Sequence, residues 1–171
     1  MGCDEICAER RAETRLRAFP PLCGAEARTL ILGTFPSPLS REKGEYYGNP
    51  RNQFWRILFD VFGIPYDNPD YRQKRLVAVS HRVAVWDVLV SCEAENALDT
   101  SIRHPVYNEM LPAFIAEKGI ERVWFNGANA YAFYKRGIGE MPRRVLPSTS
   151  PANARYTYEV KLTQWRAIKN G

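Results

Sequence analysis

One stretch of the sequence decides the fold: Leu30-Ile31-Leu32-Gly33-Thr34-Phe35-Pro36-Ser37, in which a short apolar run stops abruptly in a loop. The run begins at Thr29 and is rich in branched residues, which is typical of a strand buried on both faces. Similar runs at 83–86, 122–125 and 143–146 alternate with segments of helical spacing. The alternation predicts an α/β fold, a three-layer α/β/α sandwich with a central four-stranded, mainly parallel sheet.

The loop after the first strand is predicted to carry a functional site. It runs from Phe35 to Arg51 and contains several prolines and glycines but few apolar anchors. A loop of this length in a compact domain is usually functional or disordered. In a parallel sheet, ligands bind beyond the carboxyl ends of the strands. A Pro/Ser loop at 147–153 follows the last predicted strand, so we expect both loops at one edge of the sheet.

Composition indicates a single globular domain. The chain has 171 residues, of which 45% are hydrophobic and 25% charged. We expect a charged N-terminal arm at 1–27 and one domain at 28–171. The net charge of +5 is compatible with a polyanionic partner, and equally with a solvated surface rich in Lys and Arg. No secretory signal or apolar membrane span is recognisable, which predicts a cytoplasmic location.

The residue inventory predicts a site that works without a cofactor or a metal. Gly-rich phosphate-binding motifs are absent from the sequence, and neither His81 nor His104 has another plausible ligand near it. The four cysteines leave two alternatives, a metal or iron–sulfur site and reduced thiols, and we expect thiols. They are Cys3, Cys7, Cys23 and Cys92.

The loops are rich in amides and aromatic rings. An amide can bond both the donor and the acceptor positions of a base edge, and a ring can stack on the face of a base. Serine hydroxyls in the two Pro/Ser loops suit phosphate oxygens. These groups together fit a pocket for a flipped-out nucleobase. The amides are at Asn49, Asn52, Asn126 and Asn153, and the rings at Phe35, Tyr46, Tyr47 and Phe54.

Three motifs resemble those of the uracil-DNA glycosylase superfamily, in its mismatch-specific uracil/thymine branch. They are Gly33–Ser37 continued by Asn49–Trp55, the segment Asn126–Tyr131, and Leu146–Asn153. Two departures indicate another branch. Related enzymes carry Asp or Asn where Phe35 stands, and the uracil-specific branch carries His where Leu146 stands. With these departures, the pattern is similar to the hypoxanthine-DNA glycosylase branch, whose members act on deoxyinosine.

The resemblance implies a role for each matching residue. Asn52 is the expected catalytic amide, although a helix cap is the alternative, and Asp87 is the second catalytic candidate. Phe54 would stack on the extruded base, and Asn126 would read its edge, against core packing and turn formation as alternatives. Phe35 and Tyr47 would line the base pocket. The residues expected to bind DNA are Ser37, Ser148 and Ser150 at phosphates, and Asn153 with Arg155 in the gap left by the flipped nucleotide.

The expected activity is hydrolytic removal of hypoxanthine, leaving an abasic site in the DNA partner without strand cleavage. A monofunctional reaction is expected because the motifs contain no lysine that could form a Schiff base. A mismatch-type uracil/thymine glycosylase and a non-catalytic DNA-binding protein are the alternatives. We expect a monomer.

Overall fold

The computed structural model describes residues 15–94 and 101–170. The strands are β1 (Leu16–Arg17), β2 (Thr29–Gly33), β3 (Val83–Asp87), β4 (Leu89–Ala94), β5 (Ile102–Tyr107), β6 (Arg122–Asn126) and β7 (Val145–Leu146). The helices are α1 (Pro38–Lys43), α2 (Phe54–Phe62), α3 (Tyr71–Ser80), α4 (Leu111–Lys118), α5 (Ala128–Gly137), α6 (Tyr158–Trp165) and α7 (Ala167–Asn170). The predicted arm lies outside the described residues over 1–14, and with it Cys3 and Cys7.

A four-stranded parallel sheet forms the centre of the molecule, with the order β3-β2-β6-β7. Every residue of β2 and β3 is buried, as expected for apolar strands covered on both faces. Helices flank the sheet, so the predicted α/β sandwich is confirmed.

The carboxyl ends of the four strands meet at one edge of the sheet. The strand registers pair Gly33 with Asp87 and Asn126 with Leu146 at these ends. The chain leaves β2 for β3 on one side and later returns to β6 on the other. The boundary between β2 and β6 is therefore a topological switch point, where open parallel sheets bind ligands.

The structure also has a smaller, antiparallel sheet, in which the strand order is β1-β4-β5. No strand is predicted at β4 or β5, and in the structure the pairing of these two strands contains register shifts. Residues 16–17, within the predicted N-terminal arm, form β1 and pair with β4. Edge pairing across distant parts of the chain leaves little local signal in a two-residue strand.

Other predicted boundaries also needed correction. The expected loop at 35–51 contains α1, which begins at Pro38, where a proline is tolerated in the first turn. Helix α4 begins at Leu111, and Met110 directly before it has 60% of its surface exposed. Pro69 precedes α3 because Asp70 caps that helix. Within the described residues, no helix has the length and apolar character needed to cross a membrane.

Candidate active site

A cavity of about 430 Å³ opens at the carboxyl edge of the parallel sheet. Its volume falls in the range of small-molecule sites. The wall comes from the ends of β2, β3 and β6 and from the loops that follow β2 and β7. Its lining residues are Gly33, Thr34, Phe35, Pro36, Ser37, Ser40, Tyr46, Tyr47, Asn52, Asp87, Asn126, Asn129, Ser148, Thr149, Ser150, Ala152 and Asn153.

Most of the residues predicted for the site line this one cavity. The structure brings together Phe35, Ser37, Tyr47, Asn52, Asp87, Asn126, Ser148, Ser150 and Asn153. It does not bring Phe54 or Arg155 to the cavity wall. The roles of the individual residues stay predictions, because a shared cavity fixes position and not chemistry.

Asn52 stands between the long loop and helix α2. Its side-chain Oδ1 accepts a hydrogen bond of 2.9 Å from the Phe54 backbone N–H, while Gln53 is the N-cap residue of the helix. Asn49 makes the same kind of bond to the backbone N–H of Arg51, at 3.0 Å. The two asparagines therefore make the same local hydrogen bond, but only Asn52 lines the cavity.

Gly33, Asp87 and Tyr47 meet at the floor of the cavity. A Cβ placed on Gly33 would lie 2.6 Å from Asp87 Oδ1 and 3.0 Å from the Tyr47 hydroxyl. The absence of a side chain at Gly33 therefore lets a carboxylate and a phenol approach the same point. Asp87 has only 4% of its surface exposed, and its backbone carbonyl accepts a 3.0 Å bond from the buried Asn108 amide.

The ring of Tyr47 separates the cavity from Phe54. The two rings stack with centroids 3.9 Å apart and planes 20° from parallel. Phe54 has 0% of its surface exposed and also packs edge-on against Trp55 and Trp165. Helix α2 directs this ring into the core and away from the cavity wall, and the predicted contact of Phe54 with a base stays a prediction. Phe54 supports Tyr47, which lines the cavity.

Tyr47 has an unusual backbone conformation for a large residue. Its φ is 52°, in the left-handed region, which a bulky side chain rarely adopts. Such conformations persist only where the surrounding structure holds them, and they cluster at functional sites. The stack on Phe54 is one such restraint at the cavity wall.

The amide of Asn126 is bound on both sides by one residue, Thr149. Asn126 Nδ2 donates to Thr149 Oγ1 at 2.9 Å, and Asn126 Oδ1 accepts from the Thr149 backbone N–H at 2.9 Å. An amide has two donor hydrogens and two acceptor lone pairs, so one of each remains for a ligand. Asn126 therefore fixes the loop after β7 and keeps capacity to bind a base edge.

The three predicted phosphate-binding serines brace their own loops. Ser37 Oγ caps α1 by accepting from the Ser40 backbone N–H at 3.2 Å. Ser148 Oγ accepts from the Ser150 backbone N–H at 3.2 Å, and Ser150 Oγ accepts from that of Ala152 at 3.2 Å. Ser148 and Ser150 keep a hydroxyl donor for another partner after these bonds are made.

Arg155 lies at a second cavity of about 510 Å³ rather than at the first. The two cavities share Asn126, Asn129, Ser148 and Asn153. The Arg155 guanidinium lies over the ring of Tyr156, 5.4 Å from its centroid. Its cationic group therefore flanks the amide-lined wall from the outside.

Thr149 and Lys161 were missed by the sequence analysis. Thr149 is fully buried, and its backbone carbonyl also accepts a 3.1 Å bond from the Gln53 N–H. Lys161 is 2% exposed, and burial lowers the pKa of its ammonium group. One signal could have revealed the lysine, because it lies three residues after Tyr158 and four before Trp165, on the apolar face of α6.

Burial changes the pKa of one ionisable side chain at the cavity, Tyr46. Burial, and secondarily the negative charge of Asp87, raise the pKa of the Tyr46 hydroxyl, which stays protonated. In the described parts of the chain, no group of three or more His, Cys, Asp or Glu side chains is arranged to hold a metal ion. Asp87 is the only carboxylate on the described wall of the cavity.

Comparison with known proteins gives relatives along most of the chain. A hypoxanthine DNA glycosylase of Methanosarcina acetivorans is 32% identical over 154 residues, covering 89% of this chain and 96% of the relative. A hypoxanthine DNA glycosylase of Methanosarcina barkeri is 30% identical over 141 residues, covering 81% and 89%.

The fold has a counterpart among solved structures. A solution NMR structure of a candidate uracil DNA glycosylase from Methanosarcina acetivorans superposes with a TM-score of 0.72 at 30% identity, covering 91% of this chain and 99% of the other. The sequence profile of the uracil DNA glycosylase superfamily matches residues 20–169. Since the match includes all three motifs and the cavity they build, the chain belongs to the uracil DNA glycosylase superfamily.

Proposed function

We propose that this protein removes hypoxanthine from deoxyinosine in DNA by hydrolysis of the N-glycosidic bond. The observation that carries the proposal is the meeting of Asn52 and Asn126 in one cavity that has Phe35 at its wall. Relatives with the name hypoxanthine DNA glycosylase support the choice of base. Hypoxanthine offers a carbonyl oxygen and ring nitrogens, to which one amide can both donate and accept.

The proposed reaction is driven by the leaving group. A neutral amide cannot take a proton from water at ordinary pH, so Asn52 would orient water or the sugar rather than act as a base. The N-glycosidic bond breaks toward an oxocarbenium ion and a purine anion, whose developing charge the remaining Asn126 N–H stabilises. Water then adds to the sugar carbon, and the proton that it loses goes to the departed purine. The carboxylate of Asp87, beneath Gly33, would stabilise the positive sugar.

The product would be an abasic site without strand cleavage. A lyase reaction needs an amine nucleophile that reaches the sugar. None of the described lysines lines the cavity, and Lys43 on α1 is exposed. We therefore propose a monofunctional glycosylase. We also propose a cytoplasmic location. The protein is proposed to act as a monomer, because a single chain supplies the residues named for the cavity.

An oligonucleotide assay tests the proposed substrate. Labelled strands that carry deoxyinosine, deoxyuridine or only normal bases are incubated with the protein and then treated with hot alkali, which cleaves abasic sites. We expect cleavage at deoxyinosine, and none before alkali. Cleavage at deoxyuridine alone would assign a uracil glycosylase, and binding without alkali-sensitive sites would assign a DNA-binding protein.

Replacing Gly33 by Ala is expected to damage the floor of the cavity. The new methyl group would lie 2.6 Å from Asp87 Oδ1, so the carboxylate and the Tyr47 hydroxyl must move. We expect a loss of about 1–3 kcal/mol in the free energy of unfolding. Displacement of groups around the substrate should lower excision about 100-fold. Denaturant unfolding and single-turnover excision measure the two effects.

Gly63→Ala is the control for this substitution. Gly63 ends α2 with φ of 70°, and a Cβ there would meet nothing within 4 Å. The left-handed conformation makes the alanine costly by about 1–2 kcal/mol, far from the cavity. Stability should therefore fall while excision stays normal. Equal excision by both variants would show that the close approach at Gly33 has no part in the reaction.

A further inference from the structure

Lys161 joins two loops that both contribute residues to the cavity wall. Its ammonium Nζ donates to the Gln53 side-chain Oε1 at 2.9 Å and to the Asn153 backbone carbonyl at 3.0 Å. Gln53 follows Asn52 directly, and Asn153 lies in the loop after β7. The lysine itself lies outside the cavity wall, on helix α6.

The charge of Lys161 is not explained by an ion pair. Its side chain is 2% exposed, and no carboxylate within residues 15–94 and 101–170 forms a salt bridge with it. Burying an unpaired cation costs free energy, and an apolar residue of similar volume would often be neutral or stabilising. Packing of α6 alone therefore gives no reason for an ammonium group at this position.

Gln53 is held by two elements, the loop after β7 and helix α6. Its backbone N–H donates to the Thr149 carbonyl at 3.1 Å, and its side chain accepts from Lys161. Helix α6 holds this loop a second time, through a 2.9 Å bond from the Trp165 indole N–H to the Pro147 carbonyl. Movement of Gln53 would carry Asn52 with it, because the two are neighbours in the chain.

We propose that Lys161 is a positioning residue for base excision: it fixes Gln53 against the loop after β7 and thereby holds Asn52 at its working distance from Asn126. The proposal rests on the proposed function for its activity readout. Lys161 has no contact with substrate in this role and acts only through Gln53. An ammonium group suits the role because it can bind two neutral oxygens at once with charge-assisted bonds.

The first experiment compares Lys161→Met with Lys161→Arg. Methionine keeps the volume and removes the donors, and we expect the single-turnover excision rate at saturating protein to fall about 10- to 100-fold, as for small errors of alignment. The midpoint of thermal unfolding should stay equal or rise, because a buried charge is removed. Arginine keeps the charge and donors and should restore part of the rate. The control is Lys169→Met, an exposed lysine in the next helix, which should behave as the wild type.

A double-mutant cycle tests the route through Gln53. Gln53→Met removes the acceptor, and the double variant with Lys161→Met should be no slower than the slower single variant. Independent, multiplying losses would overturn the proposal, as would a wild-type rate in Lys161→Met. If Lys161→Met fails to fold, a wild-type rate in Gln53→Met overturns the proposal by itself.

Amide hydrogen exchange at Gln53 separates this proposal from the proposed function. Its N–H should exchange faster in Lys161→Met than in the wild type or Lys169→Met. Faster exchange in a protein that excises no base would keep the anchoring of Gln53 by Lys161 and reject the proposed function. Normal exchange and a normal rate in a protein that excises hypoxanthine would keep the function and reject the role of Lys161.

Discussion

Replacing Asn52 by Ala is expected to lower the single-turnover rate of hypoxanthine excision by about 10²–10³-fold, the range for loss of one preorganised hydrogen-bonding side chain. The physical reason is that the Asn52 amide acts at the cavity by hydrogen bonding and not by taking a proton. Its removal leaves the attacking water or the sugar without a fixed hydrogen-bond partner. The rate should be measured with protein in excess over a deoxyinosine oligonucleotide.

Asn49→Ala is a matched control for this experiment. Asn49 and Asn52 belong to the same loop, and each accepts a hydrogen bond from the backbone N–H two residues later, at 3.0 Å and 2.9 Å. Both variants therefore lose the same kind of local bond, and stability should fall by a similar small amount. Only Asn52 lines the cavity, so only its variant should lose excision. Equal rates in the two variants would remove Asn52 from the mechanism.

Asn126→Ala should have the second large effect, a loss of about 10²–10³-fold in the excision rate. Removing one hydrogen-bond donor at developing charge has effects of this size. The substitution also leaves the buried Thr149 backbone N–H without its partner at 2.9 Å, which costs about 1–3 kcal/mol of stability. Single-turnover kinetics and denaturant unfolding should be measured on the same samples.

Thr149→Val separates the two consequences of losing Asn126. Valine removes the hydroxyl that accepts from Asn126 Nδ2 but keeps the backbone N–H that binds Asn126 Oδ1. The loop is weakened, while the amide stays available to a base. We expect a much smaller loss of excision than in Asn126→Ala. If the two losses match, Asn126 acts by holding the loop and not by binding the purine.

The parallel sheet could be predicted from the sequence because buried strands leave a strong local pattern. Thr29 to Leu32 and Val83 to Trp86 are continuous apolar runs, and the carboxyl edge follows from their direction. The β4–β5 hairpin could not be predicted in the same way. Its strands alternate irregularly, and their pairing depends on contacts across the chain rather than on neighbouring residues.

The sequence predicts most of the residues that line the candidate site, but not the directions in which their side chains point. Motif spacing identifies Asn52 and Asn126, since one lies just before helix α2 and the other ends strand β6, at boundaries that the sequence marks. The direction of a ring is different, because Phe54 at the first position of α2 could face either the cavity or the core. The stack with Tyr47 decides this, and it depends on a left-handed tyrosine that no sequence pattern indicated. Lys161 was missed for a related reason, because charged side chains are seldom placed in a core.

The bonds from α6 to the loop after β7 have a consequence for biosynthesis. The ribosome makes the chain from its N-terminus, so Asn52 and Asn126 emerge well before Lys161 and Trp165. Until that last pair has left the exit tunnel, the 147–153 segment lacks the two side chains that fasten it. The nascent chain can thus begin to form its β-sheet before its reactive centre is complete.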